Sequence, residues 1–167
     1  ASRLRNRIRS RGSRPTVGSS TMITGGSRSG KSGFAQRLAE QAGGPRLFLA
    51  TCPATDGEMA QRIARHVRDR RREDWDTVEE LTDLAACLGR FSGYRTVLVD
   101  CLTLWVSNLL HQAMQRQETM EEDGATRAAG YLLAAARRHP GEIIFVTNEV
   151  GMGIVPENRL ARLYRDL

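Results

Sequence analysis

Cysteine is scarce in this sequence and never clustered. Cys52, Cys87 and Cys101 are odd in number and form no CxxC pair, which excludes a disulfide framework and a zinc ribbon and fits the reducing cytoplasm. Long apolar runs are missing too. None approaches the ~18 residues that a membrane-crossing helix requires, so no membrane span is expected. Acid is absent from the first 19 residues, which carry Arg3, Arg5, Arg7, Arg9, Arg11 and Arg14 and almost nothing apolar to bury. Residues 1–19 are therefore expected to be a disordered basic tail. They hold the whole formal charge of +6, because residues 20–167 balance 19 basic against 19 acidic side chains. The pI near 10.0 thus belongs to a tail and not to a domain. Arginine tails do bind phosphate backbones, but an upstream extension is the plainer account, and no nucleic-acid partner is expected. No apolar stretch of useful length follows the arginines, so they do not read as a signal peptide.

What remains has the composition of one globular domain with a core of its own, 40% hydrophobic and 26% charged. From Ser20 onward, short apolar runs alternate with helical spacing. The runs at 21–24, 47–51, 96–101 and 143–147 carry a single charge among them, Asp100 near the end of its run, as in strands covered on both faces. Helical spacing occupies 31–41, 58–72, 81–91, 102–117 and 125–138. Gly43-Gly44-Pro45 and Pro140-Gly141 close two of these helices. The polar stretch 112–124 reads as a frayed helix end or a surface loop. Strands joined by helices of this length imply βαβ units, hence an α/β fold with a parallel sheet and flanking helices. A further helical pattern begins at Pro156, and the chain stops inside it at Leu167 with no closing strand after it. A fragment lacking its last helix and strand is expected.

Gly25, Gly26, Ser27, Arg28, Ser29, Gly30, Lys31 and Ser32 match GxxxxGK[ST]. Such a match carries weight only in context. Here a short apolar run leads into it and an amphipathic helix leads out. Glycines let the backbone wrap phosphates so that its N–H groups face inward. The helix N-terminus adds partial positive charge. Lys31 then reaches the β- and γ-phosphates, and Ser32 offers a hydroxyl to Mg2+. A partner carboxylate belongs at the end of another core strand, and Val97-Leu98-Val99-Asp100 supplies it. Together these indicate a nucleoside-triphosphate protein without indicating its second substrate.

Two other stretches are unusual. On a helix starting near Asp56, Met59, Ile63 and Val67 form a buried stripe, with His66 at its edge one turn from Arg62 and Arg70. A histidine so flanked suits phosphate anions, although a surface histidine has the same appearance. The second stretch, 147–156, runs from a core strand into a glycine loop and on to a helix with Asn158, Arg159 and Arg162.

In these residues the sequence resembles the bifunctional adenosylcobinamide kinase / adenosylcobinamide-phosphate guanylyltransferase family of cobalamin biosynthesis. The resemblance rests on TGGSRSGKS at 24–32, LATCPATDGEM at 49–59 and RIxxH at 62–66. It continues through WxTxE at 75–79, LVDCLTLWVSN at 98–108 and TNEVGMGIVPENRLAR at 147–162, and so covers residues 20–167. The last motif is far more specific than the phosphate loop.

That resemblance implies a RecA-like P-loop fold and a homo-oligomer, a trimer. It implies phosphorylation of adenosylcobinamide with ATP or GTP, and then transfer of GMP from GTP onto the resulting phosphate through a GMP-histidine intermediate. The matching histidine is His66. The nucleotide contacts it implies are Gly25, Gly26, Ser27, Arg28, Ser29, Gly30, Lys31, Ser32, Ala50, Thr51, Cys52, Val67, Arg68, Asp69, Arg70, Glu79 and Asp100. Two departures stand out: Val67 follows the histidine where the family commonly has arginine, and 68–73 is one residue longer than usual. Two other accounts compete: a different small P-loop kinase with no covalent nucleotide, and a nucleotide-dependent binding module whose tail contacts nucleic acid. Neither accounts for 147–162.

Overall fold

The computed structural model describes residues 18–26, 29–53, 75–118 and 122–149. The described chain runs β1 (Ser20–Ile23), α1 (Lys31–Ala42), β2 (Arg46–Ala50), β3 (Trp75–Glu79), α2 (Leu84–Arg90), β4 (Thr96–Asp100), α3 (Leu102–Gln115), α4 (Glu122–Arg138) and β5 (Glu142–Val146). The strands form one sheet in the order β1-β5-β4-β2-β3, and every pairing is parallel. The expected parallel α/β architecture is what the chain adopts.

Strand sequence explains the layering. In β4, Thr96, Val97, Leu98 and Val99 are all buried, because a strand inside a parallel sheet is covered on both faces and is therefore apolar on both. Alternation then sorts each strand's side chains. Leu47, Leu49, Val97, Val99, Ile143 and Phe145 pack with Leu84 and Leu88 of α2, Trp105 of α3, and Leu132 and Ala136 of α4. Phe48, Trp75, Leu98, Ile144 and Val146 face the other way, onto Ala35 and Ala39 of α1. Right-handed crossovers dictate this division. The step from β1 outward to β2 puts α1 on one face, and the steps back from β3 to β4 to β5 put the other helices on the opposite face. Small alanines on α1 let it sit close over β4 and β5.

The ends of the elements have local causes. Asp83 caps α2 by accepting from the Ala86 N–H at 3.1 Å. At the N-terminal edge of the sheet Gly141 lies so close to the Tyr94 and Arg95 carbonyls that a Cβ would sit 2.5 Å from each. His139 is buried there, its Nδ1 accepting from the Gly141 N–H at 3.0 Å.

The structure adds three details to these expectations. The run 75–79 is a fifth strand, absent from the apolar-run pattern because only one residue of it is buried. The polar stretch 112–124 is helical at both ends, since α3 extends to Gln115 and α4 begins at Glu122. Ser19 accepts from the Ile143 N–H at 2.9 Å, which extends the ladder one residue before β1. The helices expected at 58–72 and 156–167, and the tail up to residue 17, lie outside the described residues. Among the described residues no helix is long and apolar enough to cross a membrane.

Candidate active site

Strand register lines up Ile23, Val146, Asp100, Ala50 and Glu79 in one row at the C-terminal edge of the sheet. All five belong to the face that α1 covers. Ile23, Val146 and Ala50 pack in its cluster, Asp100 is two residues beyond Leu98, and Glu79 is four beyond Trp75. With ~4.8 Å between neighbouring strands the row runs about 19 Å from β1 to β3. Ligands of open parallel sheets bind at this edge, where strand order reverses.

At one end, β1 leads through Gly25 and Gly26 into α1. Gly30 caps the helix with φ 83°, ψ 7°, a left-handed conformation that glycine adopts without steric cost. The first helical bond, Phe34 N–H to Gly30 carbonyl at 3.0 Å, follows at once. The N–H groups of the first turn point out of the helix toward the loop, and no acidic side chain occupies that turn, which leaves an anion site. Lys31 Nζ donates to the Gly26 carbonyl at 2.9 Å across the mouth of the loop. Lys31 is the one lysine in the sequence, all other basic residues being arginine. Ser27 and Arg28 lie outside the described residues.

Asp100 ends β4, half-buried on the α1 face. The peptide that follows it, to Cys101, is cis. Thr51, just beyond β2 and fully buried, holds both polar groups of Cys101. Its Oγ1 donates to the Cys101 carbonyl at 2.8 Å and accepts from the Cys101 N–H at 2.7 Å. The Thr51 N–H also donates to the Asp100 carbonyl at 3.2 Å. Burial pushes the Cys101 thiol above its usual value, so it stays protonated and packs as a small apolar group.

Helix α3 fixes the loops at the far end. Asn108 Nδ2 donates to the carbonyls of Thr51 at 2.8 Å and Leu81 at 3.1 Å. Trp105 Nε1 donates to the Thr82 carbonyl at 2.8 Å. Glu80 accepts from the N–H groups of Thr82 and Asp83 and faces Arg90 at 3.4 Å. These residues set where Glu79 sits, yet the local pattern of α3 does not mark Asn108 or Trp105 for that task.

Helix α3 also secures the exit of β5. The Asn148 N–H donates to Thr103 Oγ1 at 2.8 Å, and Thr103 and Thr147 hydroxyls meet at 3.3 Å. The parallel ladder then continues past the strand ends. The Thr147 N–H donates to the Ile23 carbonyl at 2.9 Å and the Glu149 N–H to the Gly25 carbonyl at 3.2 Å.

The structure therefore brings the loop residues Gly25, Gly26, Ser29, Gly30, Lys31 and Ser32 to one end of the row, with Asp100 two strands away across β5. Ala50, Thr51, Cys52 and Glu79 lie toward the other end. His66, Val67, Arg68, Asp69 and Arg70 lie outside the described residues. Ser32 and Asp100 offer hard oxygen donors on the α1 face. Among the described residues no three His, Cys, Asp or Glu side chains form a metal cage. Magnesium keeps several waters and takes one or two protein oxygens beside phosphate oxygens, so this donor set fits it.

Comparison with known proteins places most of the chain beside named relatives. The family model for cobinamide kinase / cobinamide phosphate guanyltransferase matches residues 21–167. A bifunctional adenosylcobalamin biosynthesis protein of Pseudomonas aeruginosa is 46% identical over 146 residues, covering 87% of this chain and 80% of that one. Its counterparts from Escherichia coli and Salmonella typhimurium are 39% and 40% identical, each match covering 87% of this chain and 83% of the relative. Among solved structures, a KaiC-like protein from Pyrococcus horikoshii superposes with a TM-score of 0.51 at 14% identity. That match covers 78% of this chain and 61% of the archaeal protein, and its likeness is one of fold.

Proposed function

Because the chain belongs to the cobinamide kinase / cobinamide phosphate guanyltransferase family, we propose that the row at the sheet edge serves both of that family's reactions. In the first, adenosylcobinamide is phosphorylated with ATP or GTP. In the second, GMP passes from GTP to adenosylcobinamide phosphate, giving adenosylcobinamide-GDP and pyrophosphate. The observation that carries this is the pairing of a phosphate loop and a strand-end carboxylate on one face of a parallel sheet, in a chain of this family.

The nucleotide lies along the row with its phosphates at the β1 end and its base toward Glu79. Loop N–H groups and the start of α1 hold the β- and γ-phosphates. Lys31 exchanges the Gly26 carbonyl for phosphate oxygens and so brings its charge to them. Ser32 and Asp100 would hold Mg2+, which would neutralise phosphate charge. In phosphorylation the substrate oxygen forms a bond to the γ-phosphorus as the β–γ bridging bond breaks, and the nucleoside diphosphate leaves. The loop's task is to hold both in line. In guanylyl transfer a ring nitrogen of His66 attacks the α-phosphorus and releases pyrophosphate. A phosphate oxygen of adenosylcobinamide phosphate then displaces the histidine. His66 falls between β2 and β3, and that connection leaves the sheet at Ala50, Thr51 and Cys52, next to Asp100. Val67, Arg68, Asp69 and Arg70 complete the nucleotide contacts. A homo-oligomer, a trimer, in the cytoplasm completes the proposal.

Labelled GTP tests it. With α-labelled GTP the protein acquires acid-labile label, and with γ-labelled GTP it does not. His66→Ala loses that label and guanylyl transfer but retains substantial phosphorylation of adenosylcobinamide. Wild-type labelling of the His66→Ala protein rejects His66 as the nucleophile.

A further inference from the structure

Phosphorylation of a hydroxyl leaves a proton to be removed, and none of the residues assigned so far removes it. We propose that Glu149 is the general base of the kinase step, accepting the proton of the adenosylcobinamide hydroxyl as its oxygen bonds to the γ-phosphorus. This rests on the kinase activity proposed above.

Topology supplies the first argument. Strand β5 lies between β1, which carries the phosphate loop, and β4, which carries Asp100. Whatever follows β5 therefore emerges between the loop and the metal-binding carboxylate, where the γ-phosphate is held. Glu149 is the first acidic residue there. Its backbone is pinned, since its N–H donates to the Gly25 carbonyl at 3.2 Å, one residue before the carbonyl that accepts from Lys31. The two preceding residues are fixed as well, Asn148 through Thr103 and Thr147 through Ile23 and Thr103.

Availability supplies the second. Among the described residues the Glu149 side chain is exposed and makes no hydrogen bond or ion pair. The other carboxylates described at this edge have other placements. Glu80 caps the turn before α2 and faces Arg90, and Asp83 caps α2. Glu79 stands three strand spacings beyond β5. Asp100 is assigned to magnesium. The proton passes to a Glu149 oxygen, the new O–P bond forms, the β–γ bridging bond breaks and the nucleoside diphosphate departs with the electron pair. No other reactant is needed. This also gives the Thr-Asn-Glu at 147–149 a purpose that phosphate binding does not.

The test measures Glu149→Gln and Glu149→Asp in both reactions. Glutamine keeps the shape but accepts no proton, so kcat for phosphorylation is expected to fall by about 10²- to 10³-fold. ATP affinity and labelling by α-labelled GTP, a step with no substrate hydroxyl, are expected to stay within about twofold of wild type. Aspartate is expected to recover part of the lost kcat. The proposal is overturned if Glu149→Gln phosphorylates within about threefold of wild type, or if ATP affinity and α-labelling fall as far as phosphorylation does. The second result would make Glu149 a support of the loop. A wild-type protein that does not phosphorylate adenosylcobinamide would instead refute the function proposed above.

Discussion

Thr51 shows how much a single hydroxyl can decide. It is fully buried and satisfies both backbone groups of Cys101, the residue that follows Asp100. Thr51→Val keeps the shape and strands the buried Cys101 N–H, while the Cys101 carbonyl keeps the Trp105 N–H at 3.2 Å, at a cost of about 1–3 kcal/mol. Urea unfolding should show that loss, while Thr51→Ser stays near wild type. Because Asp100 precedes the released peptide, phosphorylation should weaken in the valine variant more than global stability explains. A valine variant as stable as wild type would mean that water replaces the hydroxyl. Nothing local in the sequence reveals this contact, because its partners are 50 residues apart. The same holds for Asn108, whose two acceptors lie 57 and 27 residues away. Lys31 and Asp100 were legible because loop glycines and an apolar run ending in acid are local patterns.

At the scale of elements, β2, β4, β5 and the edge strand β1 were readable, and the edge strand β3 was not. Strands β2, β4 and β5 are apolar on both faces because helices cover both. In β3 only Trp75 is buried, while Asp76, Thr77 and Glu79 are exposed, so its pairing with β2 leaves little apolar signature. The same core sets a pH dependence. Burial raises the Cys87 and Cys101 thiols above the usual 9.0, and burial together with Asp76 raises the Tyr94 hydroxyl. Folding thus favours the protonated forms. The stability they contribute is fully present below pH 9.0 and is lost as pH rises from there through the raised folded values. The urea midpoint should hold between neutral pH and about pH 8.5, near the ordinary thiol value, and then fall. In a Cys87→Ala/Cys101→Ala protein the fall should be shallower. An identical fall in both proteins would assign the effect to other groups.

For the whole molecule, charge and catalysis are separable. The net charge lies in the first 19 residues, while the row at the sheet edge starts at Ile23 and crosses a charge-balanced domain. Removing residues 1–17 spares the Ser19 bond to β5 and should leave kcat/KM for both reactions near wild type at fixed ionic strength. A large drop would give the arginines a part in binding anionic substrates.

The solitary lysine has a practical corollary. A protease that cuts only after lysine has a single target in the entire chain, the Lys31–Ser32 bond, and its products are residues 1–31 and 32–167. That bond lies in the first turn of α1, where Lys31 is tied to Gly26. Cleavage there requires local opening, and when reclosing outpaces the cut its rate reports the population of opened loops. Nucleotide that grips the loop should slow the cut as the unliganded fraction falls, by the factor 1 + [L]/Kd. The appearance of one pair of fragments on a gel therefore becomes a titration of the phosphate site, with no need of a fluorophore, a radiolabel or the corrinoid substrate. A cutting rate indifferent to saturating ATP would show that this loop does not close on nucleotide.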